Sequence, residues 1–368
     1  MTFSWLIVAL FLYILFHTDI PTSLVISACL TPTDPVLAAS VLSNSQFSTR
    51  VPSRIRQLLS AESGCNDGVS FPFLYAGLSV LTRITFTQTL QKWFLITILW
   101  QCCLGTLLGI VIGHAANKLL RYCDGKEYVG RASYLVFYLL LAIFATGVAS
   151  TLGVDDFLVA FSAGATFSRD GWFASATAGS NLAKVVDLLL NSTMFVYFGA
   201  IIPWSEFTRS WSTGSGPDVV VTPGRLFALL VLILLFRRIP IVLALKPWTP
   251  HLRTWSEALF CGHFAPMGIG ALFLAIEARA QLENDTSEPD PRPPPPGKMP
   301  QRNQMCVEMI WPVICFLVLG STVVHGLSTL AVSVGIHFNT PEGERAPLIG
   351  GETGNIQGME HSDDEDET

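Results

Sequence analysis

Two carboxylates stand inside stretches of the chain that are otherwise apolar enough to cross a membrane. Asp34 lies in the segment Ala-Cys-Leu-Thr-Pro-Thr-Asp-Pro-Val-Leu-Ala-Ala, and Asp67 lies in Glu-Ser-Gly-Cys-Asn-Asp-Gly-Val-Ser-Phe-Pro-Phe. An ionisable group near the centre of a bilayer is energetically expensive, so a chain keeps one there chiefly to bind or move an ion. These two residues predict a transporter of ions or protons.

Asp34 and its neighbour Thr33 lie between two prolines, Pro32 and Pro35. Each proline lacks a backbone N–H and clashes with the preceding turn, which predicts a break in the helix. The freed carbonyl of Thr33 is a ready ligand for a small cation, with the carboxylate of Asp34 beside it. A second role stays open for Asp34, because it could cap a half-helix without touching the ion.

Helical spacing decides which polar groups meet around Asp67. Ser63 lies four residues before Asp67 and shares its face, while Glu62 and Asn66 share the neighbouring face. This arrangement predicts a cation or proton site at Asp67, supported by a hydroxyl and an amide. The alternatives are a structural carboxylate at 67, and helix-packing hydrogen bonds from Ser63 and Asn66.

A second broken span is predicted where Pro266, Gly268 and Gly270 interrupt an apolar stretch. Two interrupted spans far apart in the chain are typical of inverted-repeat transporters, which build a midplane site from crossed half-helices. Just upstream lie Arg237 and Arg238. A buried arginine there needs an anion, for which Glu62 is the candidate.

Four other polar residues are interpreted without a role in the site. Arg237 is expected to extend toward the membrane surface. His263 is expected to be a packed residue of an apolar helix. Asp155 and Asp156 are expected at a short extracellular turn, as helix caps or solvated side chains.

The elements that must position these groups are membrane helices. Half of the 368 residues are apolar, 14% are charged and the mean hydropathy is +0.48, which is unusual for a soluble domain. At roughly 20 residues a span, ten spans are predicted, two of them short: 3–16, 21–43, 57–80, 93–118, 132–152, 155–168, 184–203, 224–246, 255–279 and 307–335. The predicted fold class is an all-α membrane protein, a polytopic helical bundle with an inverted-repeat core and discontinuous crossed helices.

The loops suggest an orientation and a domain organisation. Lysines and arginines favour one set of short loops, which places both ends of the chain in the cytoplasm. Residues 1–339 are predicted to form the transmembrane domain, which includes a Pro-rich acidic loop over 280–306, and 340–368 a disordered acidic tail. Because the first span begins apolar at once, without a basic segment or cleavage site, we expect that upstream spans are missing.

Several function classes are disfavoured by what the chain does not contain. The eight cysteines show no C-x-x-C spacing and are interpreted as buried small hydrophobes. No phosphate-binding glycine loop or hydrolase motif occurs in the sequence. We therefore expect neither an enzyme nor an ATP-driven pump, no cofactor and no nucleic-acid partner.

Four motifs together carry a resemblance to a known family. They are Thr-Pro-Thr-Asp-Pro at 31–35, Glu-Ser-Gly-Cys-Asn-Asp-Gly at 62–68, Arg-Arg-Ile-Pro at 237–240 and Gly-His-Phe-Ala-Pro-Met-Gly-Ile-Gly-Ala at 262–271. In order and spacing they resemble the fungal plasma-membrane Na⁺/H⁺ antiporters of the cation:proton antiporter-1 family, over about residues 1–340.

The resemblance implies a homodimer in the lipid bilayer, in which a mobile core exchanges Na⁺ or Li⁺, with K⁺ a further candidate, for H⁺. Such exchange would serve cation efflux and pH homeostasis. It implies that Asp67 binds the cation and the proton, and that Arg238 pairs with Glu62. Further residues are implied to complete or support the cation site: Thr33, Asp34, Ser63 and Asn66.

The resemblance also has departures. Many relatives carry an arginine in the glycine-rich break, where this chain has Ala-Pro-Met at 265–267. Asn66 replaces the second aspartate of strongly electrogenic relatives, and the first three family spans and part of the fourth have no counterpart. A truncated, non-transporting or regulatory member of the family is therefore the alternative prediction. The favoured mechanism is competition of proton and cation for Asp67, whose charged form burial disfavours.

Overall fold

The computed structural model describes residues 1–34, 51–82, 86–177, 182–212, 218–284 and 300–339. Pro35, most of the predicted 280–306 loop and the predicted tail at 340–368 lie outside these residues. The described part of the chain is predominantly helical, so the predicted all-α class is confirmed.

Each predicted span overlaps at least one helix of the described residues, although several spans contain two helices. The amino-terminal half contains α1 (Thr2–Phe16), α2 (Ile20–Leu30), α3 (Ser53–Leu81), α4 (Phe86–Lys92), a π-helical segment (Trp93–Leu104), α5 (Gly105–Gly125), α6 (Arg131–Leu152), α7 (Asp156–Ser168) and α8 (Trp172–Ala176). The carboxyl-terminal half contains α9 (Leu182–Ile201), α10 (Pro223–Phe236), α11 (Ile239–Leu245), α12 (Trp255–His263), α13 (Ile269–Asn284) and α14 (Gln301–Asn339).

Three stretches of helix in the described residues are long and apolar enough to cross a bilayer: Thr87–Gly125, Pro223–Trp248 and Asn303–Ser328. The other predicted spans correspond to shorter helices or to the more polar helix α3. Two of them are shorter because the backbone leaves the helix after Leu30 and after His263, close to the predicted breaks. The predicted break is wrong at Gly270, which lies within α13, because the helix resumes at Ile269. Broken helices at membrane depth are tolerated where protein surrounds them.

Helix α2 lies at the centre of the largest buried cluster, which also takes apolar side chains from α1, α3, α10, α13 and α14. Close approach of α3 to α2 depends on Gly77, because a Cβ there would lie 3.0 Å from the backbone nitrogen of Val25. Gly109 and Gly113 serve α5 and α7 in the same way, since a Cβ at either position would strike a backbone carbonyl of α7. Small residues at such crossings are typical of membrane helices.

Two features differ from the sequence prediction. Helices α13 and α14 extend into the predicted 280–306 loop, to Asn284 and from Gln301. Polar side chains four residues apart bond each other there, as Arg279 does with Glu283 at 2.5 Å, and such pairs support helix where apolar burial does not. A short antiparallel ribbon also joins β1 (Arg209–Trp211) to β2 (Val219–Val221), which the apolar periodicity did not predict.

Candidate functional site

The first break follows the carboxyl end of α2. Residues 31–34 are not helical and lead the chain across the second break, where the N–H of Asp34 donates to the carbonyl of Pro266 at 2.9 Å. Pro32 lies within this segment, as the sequence predicts; Pro35 lies outside the described residues. The two interrupted spans therefore meet through a main-chain hydrogen bond.

Asp34 fastens this first break to the start of α13. Its carboxylate is buried, with 2% of the residue exposed, and Oδ2 accepts the N–H of Ile269 at 2.8 Å. Gly268 is required at this contact, because a Cβ there would overlap the Asp34 carboxylate. Of the two roles that the sequence left open, the structure contains the capping contact; direct ligation of an ion by Asp34 stays a prediction.

Asp67 projects from α3 toward the same helix end. The residue is 9% exposed, and a Cβ at Gly270 would lie 2.5 Å from Oδ1 of Asp67. That oxygen is buried and has no hydrogen-bond partner among the described residues. The positive end of the α13 dipole favours negative charge at this place.

Hydroxyl and amide groups connect α3 with the broken segment. The Oγ1 of Thr33 lies 3.0 Å from the Oγ of Ser63, and the Nδ2 of Asn66 donates to Thr33 Oγ1 at 3.4 Å. Thr33 and Ser63 are both buried. The structure thus brings the predicted cation-site residues of α2 and α3 together at the amino end of α13.

The two arginines after α10 take different partners. Arg238 donates to the carboxylate of Glu62 at 2.5 Å and to the carbonyl of Cys261 at 2.9 Å. Arg238 lies between α10 and α11, and through these two contacts it links α3 to α12 beside the second break. Arg238 is the arginine that the family resemblance assigns to Glu62.

The surface orientation predicted for Arg237 is wrong. The residue is 3% exposed, and its guanidinium donates to the carbonyl of Leu30 at 2.5 Å and to the carbonyl of Ala265. These carbonyls lie at and just beyond the carboxyl ends of α2 and α12, where backbone acceptors lose their helical partners and the helix dipole favours a cation. Because both helices are broken, their ends lie within the protein, and the arginine turns inward to reach them.

A histidine on α14 that the sequence did not predict contacts the carboxyl end of α12, where the second break begins. His325 on α14 is fully buried, with Nδ1 2.8 Å from the carbonyl of Ser321 and Nε2 3.1 Å from the carbonyl of His263. The Oγ of Ser321 accepts the N–H of Met267 at 2.8 Å. The sequence did contain a signal for this role, because Ser321 and His325 are polar residues within an otherwise apolar helix.

The motifs that form this site occur in a recognised family. A family model described as the transmembrane sodium/hydrogen exchanger matches residues 1–334. The chain belongs to the sodium/hydrogen exchanger family. Members of this family are multi-pass membrane transporters and not enzymes.

Among curated relatives of this exchanger chain, fungal proteins are prominent. It is 43% identical to Na(+)/H(+) antiporter 2 of Zygosaccharomyces rouxii, over 92% of this chain and 41% of the relative. It is 45% identical to the Na(+)/H(+) antiporter of Saccharomyces cerevisiae, over 92% of this chain and 34% of the relative. The predicted resemblance to fungal Na⁺/H⁺ antiporters is confirmed, although the chain spans less than half the length of these two relatives.

The exchanger fold is also found among solved structures. The sodium proton antiporter MjNhaP1 from Methanocaldococcus jannaschii at pH 8 superimposes with a TM-score of 0.61. The match covers 89% of this chain and 76% of that chain, with 16% sequence identity. At this identity the comparison shows a shared helical fold.

Proposed function

We propose that this chain carries the exchange site of a secondary antiporter, which trades Na⁺ or Li⁺, and also K⁺, for H⁺ at Asp67. The observation that carries the proposal is the buried, unpartnered Oδ1 of Asp67 at the amino end of α13. A buried carboxylate needs either a proton or a cation to remain stable in the protein interior. Because one carboxylate takes one or the other, the two ions compete.

Asp34 and Asp67 have different roles at the amino end of α13. Asp34 uses Oδ2 to hold the N–H of Ile269, which fixes the half-helix and gives this aspartate a positioning role. Asp67 keeps an oxygen without a donor in the described residues, and so is the group whose partner can change. Thr33, Ser63 and Asn66 supply neutral oxygens beside it.

Alternating access requires that Asp67 be closed from one side of the membrane at a time. One turn beyond Asp67, Phe71 packs against Phe157 with ring centres 6.1 Å apart, and Phe157 packs against Phe273 at 4.9 Å. These three rings join α3, α7 and α13 between the site and the carboxyl end of α3. We propose that they form the seal on that side, and that the core moves when an ion or proton neutralises Asp67.

The test is ion-driven proton movement in proteoliposomes, followed with a pH-sensitive dye. We expect dequenching on addition of Na⁺ or Li⁺, and a complete loss of the signal in Asp67→Asn, which can neither release a proton nor bind a cation as a carboxylate. Asp218→Asn is the matched control, since Asp218 is exposed. Absence of dequenching from correctly inserted parent protein would refute exchange by this chain and favour a regulatory role.

We propose a homodimer in the plasma membrane for the working protein, by analogy with the family. Light scattering of the purified protein in detergent tests the dimer, and fractionation of cell membranes tests the location. A monomer at all accessible concentrations would contradict the first proposal, and an internal-membrane distribution the second.

A further inference from the structure

Some buried polar side-chain atoms of this molecule have no hydrogen-bond partner. In the described residues there are four such side-chain atoms: Thr22 Oγ1, Asp67 Oδ1, Gln101 Oε1 and Asp155 Oδ2. A buried polar atom left unpaired is energetically costly, so each one calls for an explanation. Asp67 has its explanation in the exchange site, whereas Gln101 and Asp155 have none in the proposed function.

Asp155 is a buried carboxylate with one oxygen in use. It is 5% exposed, and Oδ1 caps α7 by accepting the N–H of Leu158 at 2.9 Å. The capping expected from the sequence is present, but solvation is not, since burial removes Oδ2 from water. None of the ion pairs among the described residues includes Asp155.

The backbone of Gln101 lies directly against the backbone of Asp155. The backbone N–H of Asp155 donates to the carbonyl of Gln101 at 3.4 Å, and Trp100 Nε1 donates to the carbonyl of Leu152 at 3.2 Å. Gln101 belongs to the π-helical segment Trp93–Leu104, and π-helical turns inside α-helices are frequent at functional sites. The segment therefore contacts the turn between α6 and α7 at two successive residues, Trp100 and Gln101.

The same turn touches the helix that carries Asp67. A Cβ at Gly68 would lie 3.3 Å from the backbone nitrogen of Leu158, whose N–H is held by the Asp155 carboxylate. Gly68 follows Asp67 directly, so one packing contact and one hydrogen bond separate the two aspartates. Their surroundings differ from those of Glu277, a buried carboxylate on α13 that already accepts from Tyr75 and Gln281 at 3.0 Å.

We propose that Asp155 and Gln101 form a second binding station for the transported monovalent cation, beside Asp67 on the side of the α6–α7 turn. The inference rests on the proposed function, because it assumes that a small cation enters this core. A carboxylate oxygen and an amide oxygen suit such an ion, and the bound cation would supply the positive charge that a buried carboxylate needs. Asp155 would hold the ion before it passes to Asp67, or after it leaves.

The test is equilibrium binding of radioactive ²²Na⁺ to the purified chain, which needs no transport activity. We compare the parent with Asp67→Asn, and then add Asp155→Asn or Asp156→Asn to that variant. Asp156 is the matched control, because it is the adjacent carboxylate and its Oδ1 already accepts the N–H of Phe157 at 3.0 Å. A thermal unfolding measurement on each variant verifies that it is folded.

We expect saturable Na⁺ binding to persist in Asp67→Asn, to disappear in Asp67→Asn/Asp155→Asn and to remain in Asp67→Asn/Asp156→Asn. Gln101→Leu in the Asp67→Asn background should weaken the remaining binding about tenfold, while the folded fraction stays the same. If Asp67→Asn removes all saturable binding, the second station is refuted and the proposed exchange at Asp67 survives. If the folded parent binds no Na⁺, both proposals are refuted.

Discussion

Replacement of Arg237 tests whether the two broken helices depend on one buried cation. In Arg237→Met, the carbonyls of Leu30 and Ala265 lose the guanidinium that donates to them. Each buried carbonyl left without a donor costs about 1 to 3 kcal/mol, which gives about 2 to 6 kcal/mol for the pair. For a chain of 368 residues, a loss in this range should lower the Tm by roughly 3 to 8 °C.

Two further variants make the interpretation specific. Arg237→Lys keeps the positive charge, but a single ammonium lacks the planar fork that spans two carbonyls, so we expect about half of the loss. Arg169→Met removes an exposed arginine, and surface substitutions of this kind stay within about 0.5 kcal/mol. Arg237→Met also removes positive charge from the ends of α2 and α12. Exchange activity should therefore fall most in Arg237→Met, less in Arg237→Lys and least in Arg169→Met.

The assay is thermal unfolding of the purified variants, followed by loss of the monodisperse peak in size-exclusion chromatography. The dye assay in proteoliposomes measures exchange in the same preparations. If Arg237→Met matched Arg169→Met in both Tm and exchange, the guanidinium would contribute nothing to the two breaks. The assignment of Arg237 as their shared counter-charge would then be refuted.

Three other substitutions should give equally distinct results. Gly268→Ala places a methyl group against the Asp34 carboxylate and should abolish exchange in the dye assay. Gly199→Ala is the control, because its added methyl group meets no atom within 4 Å, and it should leave exchange unchanged. Asp34→Ala removes the cap of α13 and should lower the free energy of unfolding by about 1 kcal/mol. Asp34→Asn should lower it less, because the amide oxygen can still accept the N–H of Ile269. Equal losses of stability in the two variants would contradict the capping role. Glu62→Gln leaves Arg238 without its charged partner and should lower the free energy of unfolding by about 1 kcal/mol or more. In a double-mutant cycle, the exchanged pair Glu62→Arg/Arg238→Glu should recover part of the lost stability. Purely additive losses of stability in the cycle would exclude a direct pair.

The breaks in the helices could be predicted because proline and glycine act locally. Pro32 and Gly268 interrupt apolar stretches wherever those stretches pack, and the structure has non-helical backbone at both places. The spacing of Ser63, Asn66 and Asp67 likewise follows from helix geometry alone. Local rules therefore yielded the helical class, two unwound segments and the polar face of α3.

The partners of several buried groups could not be predicted, because they depend on how distant segments meet. Arg237 turns inward only because two helix ends from different parts of the chain converge beside it. His325 and Ser321 likewise acquire their roles from a break that lies in another helix. Asp155 is predicted as a cap or a solvated side chain because its burial comes from packing of the α6–α7 turn against the π-helical segment, which is distant in sequence.

The hydrogen bond from the Asp34 N–H to the Pro266 carbonyl involves main-chain atoms alone. Only a proline at position 34 would remove its donor, since every other amino acid keeps a backbone N–H. The crossing of the two unwound segments can therefore outlast changes of the side chains around it. Under the proposed function, substitutions of the side chains around Asp34 could therefore change the ion preference of the site while this main-chain contact is kept.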